Sequence, residues 1–131
     1  MGQQTVGIFY GCVAPELPET DERPEPIHDL VERWKKAKHI GWSAHDKPAI
    51  RIESEGGKTL LGVWVAIGGS GKDGAPYFLD EAMSLSVVEV YFAKRIREAM
   101  RLWSRFAKYV ADHEGITLPE PTLWLTPGET A

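Results

Sequence analysis

The sequence predicts an α+β domain whose elements run β-α-β-β-α-β. Three observations predict it. A long amphipathic helix with readable ends occupies Ser86 to Gly115, a hairpin signal sits at Glu55-Gly56-Gly57-Lys58, and β-rich runs lie near both ends of the chain. That order is the split-βαβ, or ferredoxin-like, arrangement: a four-stranded, mainly antiparallel sheet with two helices on one face, the second helix long. The 131 residues form one domain, 43% AVILMFWYC and 26% charged, which suffices for an ordinary hydrophobic core.

Thr5 to Val13 is a short apolar run rich in β-formers and reads as the first strand. Val6, Ile8, Tyr10 and Cys12 share one face of it, and Gly7, Phe9 and Gly11 the other. Residues 14–26 are rich in proline and acid and form an exposed loop. Pro26 then suits the first turn of a helix, with Ile27, Leu30, Val31, Trp34 and Ala37 as its apolar stripe up to Lys38 and Gly41 as its stop.

After a loop from His39 to Pro48, Ala49 to Ser54 alternates as a strand should. The Gly56-Gly57 turn pairs Glu55 with Lys58, Ile52 with Leu61 and Ile50 with Val63, which sets aliphatic residues opposite one another. Leu60 to Ile67 is apolar on both faces and reads as a central strand. A connection over 68–85 follows, glycine-rich over 68–78, with a short helical turn expected within Tyr77 to Met83.

Ser86 and Glu89 form a capping box for the long helix, with Leu85 and Val90 at the staple positions. Gly115 and Pro119 end it. Val88, Phe92, Ile96, Ala99, Trp103, Phe106 and Val110 step by four and three, so they fall within roughly 80° of arc and form one seam. Thr122 to Thr126, between Pro121 and Pro127, is a short edge strand. In this fold the first and third strands are central, and here those two are the apolar ones. The helices then cover Val6, Ile8, Tyr10, Leu61, Val63 and Val65.

Two surfaces are candidates for function. The sheet face away from the helices brings together Phe9, Leu60, Trp64 and Trp124, a patch large enough to ask for a partner. Opposite the apolar seam of the long helix run Lys94, Arg97, Arg101, Arg105 and Lys108. Most such rows are solvated faces; the alternative reading is a docking surface for an acidic partner or a phosphate backbone. Charge is segregated: Glu16, Glu19, Asp21, Glu22, Glu25, Asp29 and Glu32 stand against Arg23 alone between residues 16 and 32. The acidic segment is therefore expected near the basic helix.

Catalytic motifs fail where the chemistry is carried. Gly68-Gly69-Ser70-Gly71-Lys72 follows an apolar strand, yet Asp73 stands where a phosphate loop needs Ser or Thr, and Gly74-Ala75-Pro76 opens no helix. The same run misses the G-x-S-x-G elbow at its last position. Cys12 reads as an inert buried thiol. His39, His45 and Asp46 match no zinc spacing, while His28 and His113 sit in the first and last turns of their helices. No metal, cofactor or catalytic group is assigned.

Ile8-Phe9-Tyr10-Gly11-Cys12-Val13 resembles the first-strand motif of the RNA-recognition motif at Ile8, Phe9 and Gly11. The resemblance implies a base stacked on Phe9. The third-strand motif of that family is not reproduced by Leu60 to Ile67, where Trp64 supplies an aromatic without the basic residue, so the chain is not assigned to it.

One cysteine excludes an intrachain disulfide and fits a reducing compartment. No leader, no membrane-length apolar run and no complete myristoylation motif (Val6 stands at the Ser/Thr position) is present, so a cytoplasmic location is expected. The net charge of −4 weighs against nucleic acid as the first partner. The expected function is a non-enzymatic protein-binding module, an accessory regulator or inhibitor, acting on a protein partner or a second copy of itself. Single-stranded nucleic-acid binding is the alternative, and a small-molecule binder or small enzyme with a glycine-rich lid the third.

Overall fold

The computed structural model describes residues 3–38, 49–55, 57–69, 78–79, 85–126 and 129–130. Their order is β1 (Gln3–Val13), α1 (Pro26–Ala37), β2 (Arg51–Glu55), β3 (Lys58–Gly69), β4 (Phe78–Leu79), α2 (Leu85–Glu114), β5 (Thr122–Thr126) and β6 (Glu129–Thr130). The main path of the sheet is β2-β3-β1-β5, antiparallel throughout, which is the ferredoxin-like order. β4 adds a short parallel pair to β3, and β6 an antiparallel pair to the start of β1. Strand, where a helical turn was expected, therefore occupies Phe78–Leu79.

The hairpin keeps the expected register, with Glu55 opposite Lys58 and Ile52 opposite Leu61. Gly57 takes φ +81° in the turn, a conformation that a side chain would oppose. Gly115, at φ +68°, is the left-handed stop after α2. That helix runs 30 residues and begins at Leu85. Ser86 thus lies one residue inside the first turn instead of capping it, and the cap position itself is outside the described residues. α1 ends at Ala37, short of Gly41, with Lys38 closing its last turn through bonds from its own N–H to the Lys36 and Trp34 carbonyls.

The core forms between the helices and one sheet face. Leu30, Val31 and Trp34 of α1 and Ala99, Trp103, Phe106 and Val110 of α2 pack on Cys12, Ile50, Leu61, Val63 and Val65. Trp34 meets Phe106 and Tyr109 edge-on, both at 5.5 Å between centroids. α2 lies chiefly over β3 and less over β1, so β5 stands beyond the helical layer.

β1 and β3 change register between Ile8 and Phe9: Phe9 faces Trp64 while Ile8 faces Ala66, leaving Val65 as the extra residue of a bulge. Arg95 of α2 donates from Nε to the Val65 carbonyl at 3.5 Å and pairs with Glu98 at 3.0 Å. A buried cation is tolerated there because a carboxylate and a carbonyl receive it.

Among the described residues no ion pair joins the acidic segment to the cationic row. A turn closes that segment where Thr20 and Arg23 exchange backbone bonds, and Arg23 then reaches to within 3.9 Å of Glu114. Arg33 binds Glu114 through both its Nε (3.2 Å) and Nη2 (2.7 Å). A carboxylate is unfavourable at the C-terminal end of a helix dipole, and these two arginines offset it. The N-terminal part of the chain is thereby tied to the far end of α2.

Candidate functional site

The outer sheet face collects the four residues expected there, in a form unlike a bare patch. Phe9 is 0% exposed and Leu60 2%, while Trp64 and Trp124 are half-buried. The close approach of Gly11 and Gly62, paired across β1 and β3, makes room for the Phe9 ring over Gly62. Phe9 then meets Trp64 edge-on at 5.0 Å. The Trp64 indole N–H donates to the Glu53 carboxylate at 3.0 Å, and that of Trp124 to the Gly11 carbonyl at 3.0 Å. The Lys58 ammonium stands 5.4 Å from the Trp124 ring, a cation–π distance. Both polar handles of the tryptophans are engaged within the chain, and the Phe9 ring is covered.

The second surface is unlike the first. Lys94, Arg97, Arg101, Arg105 and Lys108 are all exposed along one face of α2. From the 1.5 Å rise per residue the row spans about 21 Å. Lys108 pairs with Asp112 at 3.3 Å, one helical turn on, in a solvated contact of little energetic weight. Among the described residues the other four take part in no ion pair. Exposed apolar side chains border the row: Val90, 71% exposed, at its N-terminal end, and Met100, 47% exposed, on its flank. Arg95, adjacent in sequence, turns into the core instead.

Among the described residues no group of three or more His, Cys, Asp or Glu is placed to hold a metal ion. His39, His45, Asp46 and the loop residues Ser70, Gly71 and Lys72 lie outside the described residues. No helix among the described residues is long and apolar enough to cross a membrane. Cys12 is buried against the core, and burial raises its thiol pKa to about 11. Such a thiol is neutral at physiological pH and a poor nucleophile.

Cys12 therefore gives a pH-dependent expectation. Its folded pKa lies above the ordinary thiol value of 9.0, so its contribution to stability is complete below pH 9 and is lost as the pH rises toward 11. Tyr10, raised by the same desolvation, works in the same direction. Urea titrations from neutral to alkaline pH should show stability falling in that window, with a smaller fall in Cys12→Ala. An identical fall in the variant would locate the titrating group elsewhere.

Comparison with protein-family models, with curated proteins and with solved structures yields no match. Function is therefore argued from surfaces alone. Sequence patterning finds both candidate surfaces. It misses the exposed leucines of β5, Leu123 and Leu125, whose only signal is their alternation with Trp124 in an edge strand.

Proposed function

We propose that this chain is a protein-binding module without chemistry of its own, and that it engages an acidic protein segment through the cationic row of α2. The observation that carries the reading is four exposed cations, Lys94, Arg97, Arg101 and Arg105, in line on one helix face without an ion pair among the described residues. Self-contained charge would have supported a solvated face. The acidic segment makes no ion pair with the row among the described residues, and its Arg23 reaches toward Glu114.

Val90 and Met100 favour protein over nucleic acid as the partner. Exposed apolar groups beside a cationic row suit a mixed interface with an apolar anchor, and a phosphate backbone offers them nothing. Base stacking across Phe9, Trp64 and Trp124 is less well supported, because Phe9 is covered and both indole N–H groups are engaged.

The test compares a labelled peptide alternating glutamate with leucine against a labelled thymidine oligonucleotide, both followed by fluorescence anisotropy at low and moderate salt. The peptide should bind. Arg101→Glu combined with Arg105→Glu should weaken it by about tenfold or more, and Met100→Ser by a smaller factor. Tighter binding of the oligonucleotide at equal salt would replace the reading with the nucleic-acid one. Binding of neither, or peptide binding indifferent to the charge reversal, would remove α2 as the docking surface.

A further inference from the structure

The β5 edge carries a feature that the cationic row does not use. Among the described residues β5 pairs only with β1, and its other side is the open edge of the sheet. Edge strands are commonly protected by lysine, by a bulge or by a covering segment. Here the strand is uncharged from Thr122 to Thr126, and Leu123 and Leu125 stand 48% and 72% exposed on the helix-side face. The helices do not cover them because α2 lies over β3 and β1.

The sequence of this edge reads the same in both directions: Pro121-Thr122-Leu123-Trp124-Leu125-Thr126-Pro127. An antiparallel pair formed by two such strands about a two-fold axis at Trp124 sets like against like. Leu123 faces the copy's Leu125, Thr122 its Thr126, and Pro121 its Pro127. Two-fold interfaces require this kind of self-complementarity. The prolines lack an N–H and bound the strand on both sides, so the pairing has little room to slip from the symmetric register.

We propose that β5 is a self-association edge, and that a second copy of this chain pairs with it antiparallel, joining the two sheets into one. Four leucines then cluster on the helix side of the joint. Each Trp124 stays clear of the axis, because its indole is drawn back over β1 by the bond to the Gly11 carbonyl. Charge permits the register as well, since no carboxylate lies between Thr122 and Thr126. The contact is small. A five-residue edge with two leucines from each copy buries less than the roughly 800 Å² per partner of a standard interface. The dimer therefore forms reversibly and dissociates on dilution.

Sedimentation equilibrium of the full chain over a concentration series tests this. The mass should move from 14.6 kDa toward twice that value as concentration rises. Two double variants sharpen the test, Leu123→Lys with Leu125→Lys, and Leu123→Glu with Leu125→Glu. Both leucines are exposed, so each variant should keep the wild-type circular dichroism and urea midpoint. Each alone should stay monomeric over the whole series, its association weakened by about tenfold or more. An equimolar mixture should restore the dimer, since lysine then faces glutamate at both leucine positions. A wild-type chain that is monomeric throughout overturns the proposal. So does a dimer that persists in both double variants, and a mixture that stays monomeric overturns the antiparallel register. The Arg101→Glu, Arg105→Glu variant should dimerise as wild type does, which keeps this result separate from the fate of the cationic row.

Discussion

Trp34→Ala should lower the stability of the domain by about 3–5 kcal/mol, the usual range for deleting a buried tryptophan. Among the described residues Trp34 is the largest side chain that is fully buried, and it joins α1 to α2. Its ring meets Phe106 and Tyr109 of α2 edge-on, and Lys38 covers it at 5.5 Å. Neither helix alone has a comparable anchor for the other. Small domains are stable by only about 5–15 kcal/mol, so the loss removes a large fraction of the total and should shift the unfolding midpoint strongly. Urea unfolding followed by circular dichroism gives the measurement. Trp34→Phe, which retains most of the edge contacts, should recover a large part of the loss. A change below about 1 kcal/mol for Trp34→Ala would show that α1 is not seated where its stripe meets α2.

Gly62→Ala should be nearly as severe, by about 3 kcal/mol, through overpacking instead of a cavity. A Cβ built on Gly62 falls against the Tyr10 carbonyl oxygen, 2.7 Å from the Gly11 Cα and 2.9 Å from the Phe9 ring. The ring can shift, but the two backbone groups belong to the central strand pair. Gly11→Ala meets the same obstacle from the other side, against the Leu61 carbonyl oxygen and 2.7 Å from the Gly62 Cα. Each substitution must push β1 away from β3, so the double variant should lose less than the sum of the two. Additive losses in urea titrations of the three variants would contradict a single shared approach.

The parts of this fold that were legible in the sequence are those set by local chemistry and by one period. Gly57 allows the turn, and the aliphatic pairs then fix the hairpin register. The seven-residue seam of α2 buries where it is described, from the partly buried Phe92 to Val110. The strand order was legible because only β1 and β3 are apolar enough to be central. What was not legible depends on how layers sit on one another. The bulge at Val65 leaves no mark in the alternation of residues, so nothing announces that Arg95 turns inward. Exposure of Leu123 and Leu125 follows from α2 lying over β3, which no pattern within β5 records. The outer face was readable as a set of residues. Its covering was not, since that depends on two glycines approaching closely enough for a phenyl ring to lie across them.

The strand order also governs when the sheet can assemble. Along the main path of the described sheet, the hairpin of β2 and β3 is the pairing that joins residues near one another in the chain, so it closes at small entropic cost. Every partner of β1 is remote: Phe9 waits for Trp64 on one side and for Trp124, near the end of the chain, on the other. A central strand supplied by the first residues and completed by the last gives a topology of long sequence separation, and such topologies fold slowly. Until both neighbours have arrived, β1 has at least one unsatisfied edge. The interval before Phe9 meets Trp124 is thus when the chain is most exposed to pairing with the wrong strand.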